Sequence, residues 1–311
     1  MKILVNDAIS EEGLAALRKE HEVEVKEYTK DELPKVISSY DALVVRSKTK
    51  VTKDVINASN LKVIGRAGVG VDNIDIPAAL AKKITVVISP TAATNAVAEL
   101  TIGMMLGWAR KLPKADKTTR AGRWAKKELE GTELKGKTLG LIGSGRIGSR
   151  VVELARAFGM NVIAYSPHMT PDKAAAMGAK PVDINTVFKE SDYLSLHIPH
   201  TEQTHYIVNM EKIALMKKNA VIVNCARGGT VDEKALYEAI RDKKIAGAAL
   251  DCFENEPLGL ESPLERLENV MFAPHIGAST EECQKEAGIL IADQVLKALR
   301  GEKAEFEVKS A

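Results

Sequence analysis

Three segments of this 311-residue chain set polar side chains directly behind apolar runs. NCARGGTVDE places Arg227 after one run, and LDCFENEP places Asp251 at the end of the next, with Glu254 and Glu256 just beyond. MFAPHIGAST places His275 after a third. These residue types suit hydride transfer to or from a small 2-hydroxy acid. The planar fork of Arg227 grips a carboxylate through parallel hydrogen bonds. The imidazole of His275 titrates near neutral pH, so it takes the hydroxyl proton as a hydride leaves C2. A carboxylate from Glu256 would hold that ring and favour its protonated form. Each residue alone has a plainer reading: Arg227 as a loop cap, Glu256 in a surface turn, His275 as a hydrogen-bonded core residue. Their joint placement on strand ends, behind a plausible dinucleotide turn, shifts the balance toward chemistry.

That turn lies in KTLGLIGSGRIGSRVVELARAFG, where Gly143, Gly145 and Gly148 have G-x-G-x-x-G spacing. The pattern alone is weak, but a strand-like run precedes it and an amphipathic helix pattern follows it. Glycines there allow a tight turn, close approach to a pyrophosphate and tight helix–strand packing. The helix N-terminus then offers N–H groups to the phosphates. An acidic residue for the adenosine ribose is expected about 20 positions on. NVIAYSPHM has Ser166 there instead, with His168 and Lys173 nearby. NAD is therefore the preferred cofactor and NADP stays open.

Two other matches carry less. GTELKGKT, Gly131 to Thr138, fits a phosphate loop but precedes its strand, whereas a working loop follows one. His197, His200 and His205 cluster in LHIPHTEQTH without a fourth ligand in recognisable spacing, so no metal site is expected. His197, Ile198 and Pro199 instead end a strand where a dinucleotide would lie, and read as cofactor wall.

The elements that must position these groups come in two series. Short apolar runs at Ile3–Val5, Val23–Val25, Ala42–Val45, Val63–Ile64 and Ile84–Ile88 alternate with helical patterns, the first capped by Ser10. A helix follows over Ala98–Arg110, then a charged helical stretch to Trp124. Six further runs follow: Thr138–Ile142, Asn161–Tyr165, Tyr193–Ile198, Ala220–Asn224, Gly247–Leu250 and Val270–Ala273. Such alternation implies parallel sheets, and the second series suffices for a full dinucleotide-binding sheet. A last helix spans about Thr280 to Arg300, and the polar tail after Gly301 is expected to fray. A net charge of +2 argues against nucleic acid as main partner, and no run is long and apolar enough for a membrane span. The three cysteines lack metal spacing and fit reduced thiols in a cytoplasmic protein.

GSGRIG, NCARGGTVDE, LDCFENEP and APHIGAST together resemble the signature segments of D-isomer-specific 2-hydroxyacid dehydrogenases, over nearly the whole chain. VVRSKTKVT, VIGRAGVGVDNID and RWAKKELEGTELKGKTLGLIG narrow the resemblance to members that oxidise 3-phospho-D-glycerate with NAD, in serine biosynthesis. The resemblance implies an α/β fold of two doubly wound domains. A Rossmann dinucleotide-binding domain (98–280) is inserted in a discontinuous flavodoxin-like substrate domain (1–97 plus 281–311). It implies a homodimer through the cofactor domains, with the stretch Ala98–Trp124 in the interface. Arg227, Glu256 and His275 are the implied catalytic set. Val69, Arg146, Ile147, Ser166 and Ile198 would line the cofactor, as would Cys225, Ala226, Arg227, Asp251, His275, Gly277 and Ala278. Gly68, Val69, Gly70 and Val71 would contact the substrate by their backbone, Arg46 and Arg66 would meet its phosphate, and Ser47 would be a further substrate contact. Lys126 stands where relatives place an arginine contributed by the partner subunit. Relatives that continue further carry regulatory domains, so serine feedback is not expected of this chain. Two alternatives remain: a glyoxylate or hydroxypyruvate reductase on the same fold, and a dinucleotide-sensing scaffold that binds proteins.

Overall fold

A computed structural model describes residues 1–259 and 261–309, and the chain divides into two compact units, 1–96 with 278–311 and 97–277. In the first unit, strands β1 (Lys2–Val5), β2 (Glu22–Val25), β3 (Ala42–Val45), β4 (Val63–Arg66) and β5 (Thr85–Ile88) form a sheet of order β2-β1-β3-β4-β5. Neighbours pair parallel throughout, and this order is the flavodoxin-like one. β3 is buried at every position, as a parallel strand covered on both faces must be.

Ser10 caps the helix Glu11–Arg18, its hydroxyl accepting from Gly13 N at 3.3 Å. That helix packs on the long C-terminal helix Glu281–Leu299 where Gly13 meets Gly288, and a Cβ on Gly13 would run into the Gly288 backbone. The close approach needs glycine, and it returns the C-terminal helix to the N-terminal unit. The described part of the tail, to residue 309, is held. Ile88 N donates to Phe306 O (3.1 Å), Val308 N donates to Val86 O (2.9 Å), and Val87 pairs antiparallel with Glu307. β5 is an edge strand, so its unpaired backbone groups capture the tail despite its polar composition.

The second unit holds β6 (Thr138–Ile142), β7 (Asn161–Tyr165), β8 (Lys180–Pro181), β9 (Tyr193–Leu196), β10 (Val221–Asn224), β11 (Gly247–Leu250) and β12 (Val270–Phe272). Their order is β12-β11-β10-β9-β6-β7-β8. The sequence reading has six strands here and misses β8. This two-residue edge strand is exposed at both positions and contains a proline, so it shows no periodicity. β9, β10 and β11 are wholly buried. The chain runs outward in opposite directions from neighbours β6 and β9, so their carboxyl ends open the crevice typical of nucleotide sites.

The phosphate-loop look-alike has a packing explanation. A Cβ on Gly131 would strike the backbone at Ala109, and Gly136 turns at φ +74° just ahead of β6.

Candidate active site

The glycine turn leaves β6 at Gly143, which sits at φ +110° with its Cα against the His197 backbone. A Cβ on Gly148 would lie 2.6 Å from Gly143 O, so this glycine lets the helix Arg146–Ala157 close on the strand. A Cβ on Gly145, in contrast, would meet nothing within 4 Å. Gly145 is the N-cap of that helix and makes no side-chain capping bond. Open space beside a helix start with uncapped N–H groups fits a pyrophosphate. Across the turn, His197 bonds Ser195 Oγ through Nε2 at 2.9 Å, and burial of its ring pushes its pKa down to about 4. Its ring is therefore neutral near pH 7. Ile198 is half-buried beside it and Pro199 is exposed. His200 and His205 pair with each other instead (Nε2 to Nδ1, 3.0 Å). Ser166 is half-buried behind β7, in a turn closed by Met169 N donating to its carbonyl (3.0 Å).

Arg227 stands on a loop organised by Asn224, the last residue of β10. Asn224 Oδ1 accepts from Ala226 N (3.1 Å), and Asn224 Nδ2 donates to Arg227 O (2.9 Å). Thr230 Oγ1 donates to the same carbonyl (2.7 Å), and Arg227 Nη1 donates to Ala226 O (2.7 Å). Gly228 has no room for a Cβ against the Phe253 backbone, which brings this loop to the one carrying Glu256. Cys225 is buried, and burial pushes its thiol up to about 12, so it stays protonated.

His275 Nδ1 lies 2.7 Å from Glu256 Oε2, while Glu256 Oε1 accepts from Phe253 N at 3.0 Å. Asp251, 1% exposed, accepts from Ile276 N and Gly277 N, each at 2.8 Å. Those bonds pin the residues that follow His275, which itself sits at φ +53°. A side chain in that left-handed region costs about 1 kcal/mol, so the loop must be held there. The Glu256 hydrogen bond raises the His275 pKa above the ordinary histidine range, against the effect of burial. Burial pushes the Glu256 carboxyl up, but the His275 bond and the Phe253 amide outweigh it, so Glu256 titrates below the usual range. Burial raises the Asp251 carboxyl even though two amides oppose it. The charge of Arg227 reaches both Glu256 and His275 and lowers both.

In the first unit, Arg66 ends β4 opposite Val45 in the β3 register, and Arg46 is the next residue after Val45. The two arginines therefore leave adjacent strand ends at the carboxyl edge of the sheet. Arg66 folds its guanidinium back over Gly68, which stands at φ +153°. Ser47 is exposed, and Val69, Gly70 and Val71 are half-exposed, with Val71 packed on the first unit's core. Ala278 also belongs to the first unit. Lys126 opens an exposed 3₁₀ turn, Lys126–Leu129, in the second.

The structure thus joins Glu256 and His275 directly, ties Asp251 to the two residues that follow His275, and sets Arg227 within reach of the charges of Glu256 and His275. Sequence reasoning missed Asn224 and Thr230, although a lone Asn closing the apolar run VIVN was a visible signal.

Residues 102–277 match the family described as D-isomer specific 2-hydroxyacid dehydrogenase, NAD binding domain. The chain belongs to this family. It is 55% identical over 308 residues to a D-3-phosphoglycerate dehydrogenase of Methanocaldococcus jannaschii, a match covering 98% of this chain but 59% of the relative. It spans between 54% and 59% of the length of the first three curated relatives it matches. A hydroxypyruvate reductase of Thermotoga maritima is 48% identical over 303 residues, covering 96% of this chain and 98% of that relative. A solved D-lactate dehydrogenase of Aquifex aeolicus, complexed with NAD and lactic acid, has a TM-score of 0.88 at 27% identity, covering all of both chains. The matched residues 102–277 include the glycine turn, Arg227, Glu256 and His275. Among the described residues, no helix is long and apolar enough to cross a membrane.

Proposed function

We propose that the protein is an NAD-dependent D-3-phosphoglycerate dehydrogenase, interconverting 3-phospho-D-glycerate and 3-phosphohydroxypyruvate. The observation that carries the chemistry is the 2.7 Å bond between His275 and Glu256. It occupies Nδ1, so His275 exchanges its proton with the substrate oxygen through Nε2. The nicotinamide, when bound, supplies the hydride acceptor. Arg227 binds the substrate carboxylate and holds C2 in register. In oxidation neutral His275 takes the hydroxyl proton, and Glu256 stabilises the imidazolium that results. In reduction protonated His275 delivers that proton to the carbonyl oxygen.

Gly143, Gly145 and Gly148, with Arg146 and Ile147 at the helix start, hold the pyrophosphate. Ser166 takes the ribose end, where it accepts a hydroxyl without repelling a 2′-phosphate. The family resemblance assigns the remaining cofactor contacts to Val69, Cys225, Ala226, Asp251, Gly277 and Ala278. The domain limits of this reading, 1–97 with 281–311 and 98–280, lie within three residues of the limits of the two compact units. The phosphate falls to Arg46, Ser47 and Arg66, supported by the adjacent strand ends that carry the two arginines. The backbone of Gly68 to Val71 meets the substrate, and Lys126 adds a cation from a second copy in a homodimer. Trp124, 86% exposed, and Leu112 offer apolar surface for that pairing. The free, buried cysteines fit a reducing cytoplasm.

A second reading is hydroxypyruvate reductase, favoured by the Thermotoga maritima relative that this chain covers almost completely. Initial rates with 3-phosphohydroxypyruvate, hydroxypyruvate and glyoxylate, each with NADH and with NADPH, separate the two. The phosphorylated acid with NADH is expected to lead in kcat/KM. Arg46→Ala is expected to cut that lead about 10-fold or more, the worth of one charged hydrogen bond. Equal turnover of phosphorylated and plain acids, with a ratio that Arg46→Ala leaves alone, refutes the phosphoglycerate reading in favour of the reductase.

A further inference from the structure

Glu256 lies on a short loop, and the structure shows what holds that loop. Glu233 opens the helix Glu233–Arg241, directly behind its cap Asp232. Its amide, one of the donors that a helix start leaves without an internal partner, donates to Glu254 Oε1 at 2.9 Å. In return Glu254 N donates to Glu233 Oε1 at 2.7 Å. This reciprocal pair ties the helix to a residue two positions before Glu256. The other Glu254 oxygen, Oε2, accepts from Tyr206 OH at 3.1 Å. Tyr206 is fixed in turn, since its amide donates to Gly229 O (2.9 Å) and its ring stacks on His205 with centroids 3.8 Å apart.

The arrangement has an electrostatic cost. Burial raises the Glu233 carboxyl pKa, and the charges of Glu254 and Glu256 raise it further. The ionisable groups around it are Asp232 on its own helix, Glu254 and Glu256 from the loop, and Tyr206 through Glu254, while Arg227 and His275 face Glu256. Acids gathered at this density repel one another, and a loop with no positional duty has no use for them.

We infer that Glu233 is a positioning residue: its reciprocal bonds with Glu254 fix the 253–256 loop so that Glu256 meets Nδ1 of His275. The inference rests on the reading of His275 as the proton-exchanging group. Glu233 touches neither substrate nor cofactor. Its effect passes through the hydrogen bond that sets the protonation of His275.

The test compares Glu233→Ala with Glu233→Gln, whose amide oxygen still accepts from Glu254 N. The readouts are kcat for hydroxypyruvate reduction across the neutral pH range, NADH affinity by fluorescence quenching, and the His275 ring titration by NMR, assigned by loss of its signal in His275→Asn. Glu233→Ala is expected to lower kcat about 10-fold, as misplacement of a reacting group does, with NADH affinity unchanged. The His275 titration should fall toward the ordinary histidine range, and the fall of the reductive rate with rising pH should set in earlier. Glu233→Gln should restore most of both. Tyr206→Phe, which removes one hydroxyl, should move both readouts the same way by about 2-fold and guards against Glu233→Ala failing to fold. An unmoved His275 titration in Glu233→Ala overturns the inference, whatever the rate does. So does a Gln variant as impaired as the Ala variant. If the unaltered protein reduces no 2-keto acid, the functional reading fails by itself, and the NMR titration still decides the role of Glu233.

Discussion

Asp7 follows β1 in the first unit and Asp251 follows β11 in the second. Each is buried, at 7% and 1% exposure, and each reaches sideways to the loop after the neighbouring parallel strand. Asp7 accepts from Arg46 N (2.7 Å), Thr49 N (3.1 Å) and Thr49 Oγ1 (2.6 Å). Among the described residues, Asp251 accepts from the amides of Ile276 and Gly277 alone. The first loop has further support, since Asn73 Nδ2 donates to both Arg46 O and Thr49 O. The second loop carries His275 in a left-handed conformation and sets its ring on Glu256. A loop that presents a permanent cation needs position alone, because arginine stays charged at any working pH. A loop that exchanges a proton needs position and also a partner that tunes the ring. The same strand-end aspartate serves both, with redundancy in one case and dependence in the other.

The largest effect should come from the proton-exchanging group itself. His275→Ala is expected to lower kcat about 1,000-fold for reduction of a 2-keto acid, within the span of general acid–base catalysis. NADH affinity should survive, because the glycine turn and the helix start lie on other elements. Stopped-flow turnover with parallel NADH titration checks this. A variant with full activity would leave Asp251 and Glu256 with only a structural role, and the contrast between the two loops would vanish.

Next in size is a direct test of dependence against redundancy. Asn at position 251 keeps one acceptor oxygen but turns an NH₂ toward a backbone amide. Asp251→Asn is expected to cost about 1–3 kcal/mol of stability and to lower kcat about 10- to 100-fold. Asp7→Asn retains the Asn73 bonds around Arg46, so it should leave kcat for hydroxypyruvate nearly intact and raise KM for the phosphorylated acid a few-fold. Denaturant melts and steady-state kinetics on both variants decide. Equal losses of kcat would show that the two loops are held for the same purpose.

Much of this was legible from residue order. β3 could be placed because a fully buried parallel strand reads as an uninterrupted apolar run, β2 only through the alternation of EVEV, and the glycine turn because flanking elements gave its spacing meaning. Pairing of Glu256 with His275 was legible as chemistry, since a base wants a carboxylate. The clamps were not. Asp251 at a strand end says nothing of which amides it accepts, because those lie 25 and 26 residues on, beyond another strand. The Glu233–Glu254 pair spans 21 residues and sets each carboxylate on the other's amide, a combination that charge reasoning alone reads as repulsive. β8 and the tail were missed for one reason: each is held by the unpaired edge of a sheet, and edges do not impress a pattern on what pairs with them.

The smallest change isolates tuning from position. Glu256→Gln keeps an oxygen for the Phe253 amide and removes the charge beside His275. The folded His275 pKa is raised, chiefly by the Glu256 bond. Oxidation needs the neutral ring, so its kcat/KM rises as pH climbs through that pKa, and reduction needs the imidazolium, so its kcat/KM falls through the same value. Without the carboxylate the pKa drops, and both limbs should move to lower pH by about one unit. At neutral pH the variant should therefore gain ground in oxidation relative to reduction. Limbs that stay in place, or move upward, would show that Glu256 does not raise the pKa of His275 and leave it with alignment alone, the same duty that Asp7 has toward Arg46.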